Sequence, residues 1–321
     1  MRIPIVVIAS VSIALSLGAQ QSPNPPLDGG PAWSEVQAAL GGKGAMQPGG
    51  VLKFSFPRSD LQVTAAGVQV KPPLALGSWV AFKRMGTTAA ARTMLMGDLV
   101  LTEDEIEPVM LALQQGGIEQ TAVHNHLLHE TPRIMYMHIM AHGDAAKIAS
   151  SIRTALAQSA TPLPALASGA PPTPAAGTGG TSPVPNPIDL DTATIARTLG
   201  VTGKVNGGVY QVTVPRRQRV SDHGMEIPPS MGVATAINFQ PTGAGKAAIT
   251  GDFVMVSSEV NPVIRALREH GIEVTALHSH MLSETPRLFF MHFWANDDAA
   301  TLAHGLAAAL DVMAVKRAVG H

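Results

Sequence analysis

The chain has 321 residues, 45% of them hydrophobic, and a mean hydropathy of +0.18. This length and apolar content predict a globular protein of about two domains. Lys and Arg number 22 against 23 Asp and Glu, aromatic residues make up 4%, and no basic block is present, so nucleic acid is not an expected partner. The absence of cysteine excludes disulfides, thiolate metal ligands and a lipid-bearing N-terminal cysteine.

The first residues have the order of a secretory signal peptide. Arg2 is followed by the apolar run Ile5–Leu17, and small residues then lead to the polar Gln20. An uncleaved membrane anchor is the alternative, but the run is shorter than the ~20 residues that a spanning helix needs. We therefore expect a signal peptide over 1–19, a flexible lead-in over 20–30, and an exported periplasmic or extracellular protein with no stable membrane span after signal cleavage.

An internal repeat dominates the rest of the sequence. Residues 97–146 align with 251–300 at a constant offset of 154 without a gap, and 26 of the 50 positions are identical. A segment rich in Pro, Ala and Gly at 158–188 separates the copies, and such a composition does not form a packed core. We predict repeat domain 1 over 31–157 and repeat domain 2 over 189–315.

Each repeat begins with strands. Apolar and β-branched runs between Gly and Pro predict four of them in the first copy, at Val51–Pro57, Leu61–Lys71, Trp79–Arg84 and Thr93–Leu101. A helix is expected next, with Asp104 as its N-terminal cap and Gly116-Gly117 at its end.

Two more strands and a helix complete the repeat. A strand over Glu119–Leu128, a turn over His129–Pro132 and a strand over Arg133–Ala141 are predicted, followed by a helix over 144–157. Strands joined by so short a loop must be antiparallel. The predicted fold class is α+β, with two homologous domains that are each an antiparallel sheet with helices packed on one face.

The repeated histidines are the main functional signal. The string HNHLLHETPRIMYMH at 124–138 returns as HSHMLSETPRLFFMH at 278–292. Side chains two apart in a strand share a face, and if Leu128 pairs with Ile134, the first histidine lies opposite the last, within the ~4.5 to 8 Å of cross-strand neighbours. Imidazoles at that distance can converge on one ion. The expected metal ligands are His124, His126, His138 and Glu130 in the first copy and His278, His280, His292 and Glu284 in the second.

The identity of the metal is left open by this ligand set. Imidazole with carboxylate suits a divalent transition metal, namely Zn, Fe, Mn, Cu or Ni. Glu130 and Glu284 are also candidates for a general base, or they pair with Arg133 and Arg287 three residues later. These two arginines are in turn candidates for contacts to an anionic substrate.

Other polar residues carry weaker signals. Asp98 and Asp252 each follow a glycine and are predicted either to orient a histidine from behind or to be turn residues. His129 and His142 are replaced by Ser283 and Asn296 in the second copy, so they are expected at the surface.

At these repeated strings the chain resembles the LppY/LpqO family, a group of bacterial exported proteins built on a domain of unknown function. The resemblance covers Trp33–Leu156 and Leu190–Leu310. It implies export and a duplicated fold but no reaction. The family's named members look like lipoproteins, and this chain departs from that pattern because no cysteine follows its signal.

Three functions therefore stay open. The first is an exported metal-binding protein with one ion per repeat. The second is a metal-dependent enzyme at the same place, either a hydrolase or a cupin-like oxygenase or isomerase. The third is a non-metal cell-envelope binding module that takes a small-molecule ligand in the cleft between the domains. The expected partners are a metal ion and, for the last two functions, a small molecule.

Overall fold

The computed structural model describes residues 31–86, 92–166 and 188–318. The expected signal peptide, the lead-in and most of the predicted 158–188 linker lie outside the described residues. Each repeat forms one six-stranded sheet in which every pairing is antiparallel, with helices packed against it. The predicted α+β fold of two homologous domains is confirmed.

The elements of the first repeat follow each other in this order: α1 (Pro31–Leu40), β1 (Ala45–Gln47), β2 (Val51–Pro57), β3 (Val63–Ala65), β4 (Val68–Val70), α2 (Pro72–Ala75), β5 (Gly77–Arg84), β6 (Thr93–Thr102), α3 (Glu103–Gln115), β7 (Glu119–His124), β8 (Glu130–Thr131), β9 (Ile134–Gly143) and α4 (Ala145–Leu156).

The second repeat continues with α5 (Thr192–Leu199), β10 (Lys204–Asn206), β11 (Val209–Pro215), β12 (Val220–Asp222), β13 (Met225–Ile227), a 3-10 turn (Pro229–Met231), β14 (Ala234–Gly243), β15 (Lys246–Met255), α6 (Ser257–Glu269), β16 (Glu273–His278), β17 (Phe289–Asp298) and α7 (Ala299–Asp311). The sheet orders β1-β2-β5-β6-β9-β7 and β10-β11-β14-β15-β17-β16 are equivalent, so the repeats share one topology.

The predicted single strand over Leu61–Lys71 is wrong, because this segment is the hairpin β3–β4. Ala66 and Gly67 reverse the chain with positive φ angles of 45° and 80°. Such angles are typical of two-residue hairpin turns, and glycine adopts them at little cost. The second repeat has the same turn at His223-Gly224.

Helix α3 begins two residues earlier than predicted, with Thr102 rather than Asp104 at its N-terminal cap position. The side chain of Glu105 accepts a hydrogen bond from the Thr102 amide at 2.9 Å and another from the Ala160 amide at 2.7 Å. It also pairs with the fully buried Arg58 at 2.7 Å. One carboxylate thus ties the helix start to the end of β2 and to the chain after α4.

The same arrangement recurs in the second repeat, where Glu259 accepts from the Val256 and Ala314 amides and pairs with Arg216 at 2.6 Å. In the first repeat this bonding extends into the segment expected to be linker. The Pro164 carbonyl accepts a hydrogen bond from Arg153 Nη1 at 2.7 Å, and Leu163 packs against the helix-side apolar cluster. The start of the expected linker therefore packs on the first domain.

The two sheets face each other. The helices α1, α3 and α4 cover one face of the first sheet, and α5, α6 and α7 cover the equivalent face of the second. The opposite faces form shared apolar clusters, one of which joins Met96 and Met140 of the first repeat to Val254, Met281 and Phe290 of the second. The molecule is therefore layered as helices, sheet, sheet and helices, and the space between the sheets is common to both repeats.

Candidate metal centre

The histidine strands pair in a different register from the predicted one. His124 is the last residue of β7 and lies opposite Tyr136 of β9, while Ala122 lies opposite His138. The predicted pair of Leu128 with Ile134 is wrong, since β7 has already ended. Because the register differs by an even number of residues, His124 and His138 still point to the same side of the sheet.

All six repeated histidines point into the space between the sheets and meet there. The ring centroids of His124 and His278 are 3.5 Å apart, those of His126 and His292 3.7 Å, and those of His138 and His280 3.6 Å. Every one of these contacts joins one repeat to the other. The two histidine sets expected as separate sites are therefore one cluster, which we call the central cluster.

Aromatic rings hold the outer members of the central cluster. His126 stacks on Tyr136 with centroids 3.3 Å apart, and His280 stacks on Phe290 at 3.4 Å. The Tyr136 hydroxyl donates to the Ala75 carbonyl at 3.0 Å, which fixes that ring in turn. The equivalence of these contacts shows that the repeats are related by an approximate two-fold axis that passes between His124 and His278.

The Nε2 atoms of the central cluster carry the strongest chemical signal. All six are buried without a hydrogen-bond partner among the described residues. A buried polar atom that lacks a partner costs about 1–3 kcal/mol, and a shared ion could satisfy several of these six atoms at once.

Hydrogen bonds at Nδ1, on the other side of the ring from Nε2, fix the tautomer of several of these histidines. His292 Nδ1 lies 2.7 Å from the Gly251 carbonyl oxygen and His124 Nδ1 lies 3.0 Å from that of Asn125. A carbonyl oxygen only accepts, so Nδ1 carries the proton and Nε2 presents its lone pair. This arrangement is typical of metal-binding histidines.

Burial keeps these imidazoles neutral. It lowers the pKa of His124 to about 4, and burial together with the neighbouring His124 lowers the pKa of His278 to about 3. The pKa values of the other four histidines are also held well below 6.5, first by burial and then by neighbouring histidines. The neutral form is the one that binds metal.

Two groups of nitrogen atoms are close enough to hold an ion. Within each group the ligand atoms all lie within 4.8 Å of one another, and the groups are His124, His278, His280 and His292, and His124, His126 and His138. Because His124 belongs to both, ligands from the two repeats are mixed.

Of the predicted glutamate ligands, Glu130 begins the short strand β8 and Glu284 lies in the loop before β17. Glu130 Oε1 accepts from the Ile134 amide at 3.1 Å and Glu284 Oε1 accepts from the Leu288 amide at 2.8 Å. Neither belongs to the two groups of ligand atoms. Burial raises the pKa of Glu130 to about 7. The ligand and general-base roles of both residues stay predictions.

The two arginines differ in their surroundings. Arg287 Nη1 lies 3.3 Å from Glu284 Oε2 and also donates to the Met281 carbonyl, so it closes the turn. Arg133 is mostly exposed, and its Nε lies 3.9 Å from Glu103. Their contact with an anionic substrate stays a prediction.

Asp98 and Asp252 are the residues whose place the sequence did not reveal. Asp252 Oδ2 lies 3.3 Å from His280 Nε2, and Asp98 lies 3.7 Å from His126 Nε2 and 3.9 Å from His138 Nε2. The carboxylates thus face the free Nε2 atoms instead of supporting the rings from Nδ1. An ion with bonds of about 2.0–2.2 Å could lie between such atoms after small movements.

These carboxylates are buried, and the protein offsets the cost of their burial only in part. Burial raises the pKa of Asp98 to about 7, with Lys53 acting in the opposite direction. Burial raises the pKa of Asp252 well above its usual range, and the neighbouring Asp98 adds to the effect. A bound cation would reverse both shifts.

The glycine before each aspartate is required by close packing. A Cβ at Gly251 would lie 1.9 Å from the Ala236 carbonyl oxygen, and one at Gly97 would lie 2.9 Å from that of Trp79. Only glycine lets the neighbouring strand approach so closely. The repeated Gly-Asp pair is the signal in the sequence that marks this place.

Comparison with known proteins places the chain in a family. The chain belongs to the family described as Domain of Unknown Function (DUF1259), which matches residues 34–158 and again 193–312. A search of the curated proteins finds no match. The duplication is thereby confirmed, while the LppY/LpqO resemblance stays a prediction.

Two solved structures show a distant likeness. One is a trimeric bacterial microcompartment shell protein, PduB, at 12% identity and a TM-score of 0.22. The match covers 86% of this chain and 91% of PduB. The other is EtuB from Clostridium kluyveri, at 8% identity and a TM-score of 0.20. The match covers 84% of this chain and 88% of EtuB. In the part of the chain that the structure describes, no helix has the length and apolar character to span a membrane.

Proposed function

We propose that this is an exported metal-binding protein whose two repeats together hold divalent transition metal in the central cluster. The observation that carries this proposal is the convergence of six buried, unpartnered Nε2 atoms from facing sheets. Asp98 and Asp252 supply negative charge at the same place. Histidine nitrogens with carboxylate oxygens favour zinc, copper, nickel or iron.

Burial of the ligands supports binding rather than catalysis. His292 is only 2% exposed and His138 only 4%. A catalytic metal keeps one coordination position open to substrate or water, whereas a structural or storage site is closed by protein ligands. Four imidazoles within one group are enough to close a tetrahedral site.

The location outside the cytoplasm is part of the proposal. It rests on the charged, apolar and small-residue order of residues 1–19. Sequencing the N-terminus of the protein recovered from the periplasm or the medium tests it, and an intact Met1 in protein recovered from the cytoplasm would contradict it.

Metal binding is tested with protein produced without a histidine tag. After dialysis against chelator and then metal-free buffer, titration with Zn²⁺, Co²⁺, Ni²⁺ and Cu²⁺ in a calorimeter gives the stoichiometry and affinity. We expect tight binding that falls at least 100-fold when His124→Leu and His278→Leu are combined, because His124 belongs to both ligand groups and His278 to the group of four imidazoles.

The matched control is His304→Leu, since His304 is an exposed histidine on α7, in the helix layer and not between the sheets. This variant should bind metal like the unmodified protein. Equal metal binding by the double variant and the control would overturn the proposal.

A further inference from the structure

A second group of polar side chains lies near the far end of the space between the sheets. His142 is near the end of β9, Asp222 ends β12, His223 follows it in the hairpin turn, and Ser283 lies in the loop after β16. One of these residues thus comes from the first repeat and three come from the second. We call them the flanking cluster.

The geometry of the flanking cluster is centred on Asp222. Its side chain is fully buried, and its Oδ1 accepts from Ser283 Oγ at 2.7 Å. Its Oδ2 lies 3.9 Å from His142 Nε2 and 3.9 Å from His223 Nε2. Asp222 Oδ2 and His142 Nε2 are both buried and have no hydrogen-bond partner within the described ranges.

A direct hydrogen bond does not explain these distances. A separation of 3.9 Å is too long for one, so the carboxylate oxygen and the imidazole nitrogen face each other without satisfying each other. A tetrahedral ion with bonds of ~2.1 Å would place its ligand atoms ~3.4 Å apart, close to the separation of Asp222 Oδ2 from each imidazole nitrogen. The His142 and His223 rings are edge to face with centroids 5.7 Å apart, and His223 Nε2 lies 3.4 Å from Ser283 Oγ, so the exposed His223 ring must rotate to complete the site. The Ser283 hydroxyl holds the other carboxylate oxygen, as residues behind a metal ligand commonly do.

Duplication does not account for the flanking cluster. In the first repeat the hairpin β3–β4 has Ala65 and Ala66 where the second repeat has Asp222 and His223. His142 has Asn296 as its counterpart, at the offset of 154. The ligand set therefore exists only once, and its members were brought together from non-equivalent positions of the two repeats.

From this arrangement we infer that the flanking cluster is a second site for a divalent transition metal ion, of the kind that imidazole and carboxylate prefer. His142, Asp222 and His223 are its ligands, and Ser283 orients the carboxylate. The site is open on one side, because the His223 side chain is 66% exposed. Its bound ion therefore exchanges with solvent more readily than an ion in the central cluster.

A cavity adjoins this site. It has a volume of about 260 Å³ and is lined by Lys83, Arg84, Met85, Met94, Met225 and Glu226. In the strand registers Met94 lies opposite His142, and Met225 lies opposite Asp222. The cavity is thus lined by the cross-strand neighbours of two residues of the flanking cluster, while the flanking cluster itself does not line it.

The test uses two variants that restore the residue of the other repeat. His142→Asn introduces the counterpart Asn296, and His223→Ala introduces the counterpart Ala66 at the same φ angle of 45°. Both are therefore expected to fold, which circular dichroism and thermal melting without metal will check. Zn²⁺ titration by calorimetry and Co²⁺ titration by visible absorption then give the number and affinity of sites.

We expect the unmodified protein to show a class of sites that weakens at least tenfold in each variant, with a matching loss of Co²⁺ absorption. That class should persist in the double variant His124→Leu plus His278→Leu, so the two metal sites fail or succeed independently. His304→Asn is the control and should change nothing. Unchanged stoichiometry and affinity in both His142→Asn and His223→Ala would overturn the inference.

Discussion

The two repeats keep the same histidines and aspartates where they meet at the centre, and they differ more where they face non-equivalent surroundings. His124 and His278 stack on each other, and both copies retain the Gly-Asp pair that faces the histidines. Away from the axis, Asp222 of the second repeat stands where the first has Ala65. At the axis His124 contacts its own counterpart His278, so a substitution there alters the surroundings of both repeats. A substitution in the flanking cluster alters one place only.

The two repeats also place different residues at the edge of the central cluster. Lys53 of the first repeat places its Nζ 3.9 Å from the ring centroid of Trp79, and burial lowers its pKa to about 8, with Asp98 acting in the opposite direction. The equivalent residue, Gln211, donates instead to the Pro73 carbonyl at 2.7 Å. Asp98 therefore has a cationic neighbour that Asp252 lacks, and the two ends of the central cluster are electrostatically unequal.

The largest expected effect comes from the buried arginines that both repeats keep. Arg58→Met and Arg216→Met should each lower the free energy of unfolding by about 3–5 kcal/mol, because a buried glutamate loses its charge partner. Arg58 should cost more, since it also binds Asp60, whereas Arg216 binds the neutral Gln218. Urea denaturation measures both.

The control for this pair is Arg219→Met. Arg219 forms an exposed ion pair with Glu226, which should contribute only about 0–1 kcal/mol. Equal values for all three variants would show that burial does not decide the contribution of these pairs.

The next effect is a loss of stability on acidification of the metal-free protein. The folded pKa of His124, about 4, lies below the value of about 6.5 expected in the unfolded chain. Below pH 6.5 the unfolded state therefore binds more protons, and stability falls as the pH drops towards 4. For His124 alone the loss is on the order of 3 kcal/mol.

Urea denaturation with chelator at pH 7.5, 6.0 and 5.0 measures this dependence. It should be weaker in the His124→Leu plus His278→Leu protein, since this variant lacks two of the depressed groups. The raised pKa values of Asp98 and Glu130 act in the opposite direction over this range, because the folded state binds those protons first, so the comparison of the two proteins isolates the histidines. An equal pH dependence in both proteins would contradict the buried, neutral state of His124 and His278.

A smaller effect should separate the two ends of the central cluster. Asp98→Asn and Asp252→Asn should each weaken metal binding, by about 10- to 100-fold if the carboxylate supports the site as such groups usually do. Asp252→Asn should cost more, because Asp252 lies 3.3 Å from its histidine nitrogen while Asp98 lies at 3.7 Å. Calorimetric titration with Zn²⁺ compares them, and an equal affinity of both variants and the unmodified protein would remove the aspartates from the site.

The smallest effect concerns the aromatic rings that stack on the outer histidines of the central cluster. Tyr136→Phe should lower the free energy of unfolding by about 1 kcal/mol, since the Ala75 carbonyl loses its hydrogen bond while the stacking on His126 remains. Thermal melting measures the change. The second repeat already has Phe290 at this place, so metal affinity should stay unchanged, and a marked loss of affinity would assign the hydroxyl a role at the metal.

Local patterns predicted much of each repeat. The strand Val51–Pro57 has the predicted bounds because its apolar run and the flanking Gly and Pro residues are local signals. His124 and His138 were predicted on one face, and they are, despite the wrong register, since strand side chains alternate with a period of two. Helix α3 began earlier than expected because Thr102, not Asp104, occupies the cap position.

Contacts between distant segments could not be predicted in this way. Asp98 lies opposite His138 only because β6 pairs with β9, which follows it after a helix and two other strands. The facing of the two sheets is likewise absent from any local pattern. His142 was expected at the surface because the second copy lacks it, but its side chain is only 19% exposed, since a site built from unlike positions needs no identity between copies.

The stacked pair His124 and His278 has a consequence for the origin of the molecule. A side chain that meets its own equivalent is what a two-fold axis produces at an isologous dimer interface. A single ancestral repeat could have built the same six-imidazole centre by dimerisation, before gene fusion joined the two subunits. In a fused chain one half can have Lys53 and the other Asp222, whereas the two subunits of a homodimer encoded by one gene must be identical.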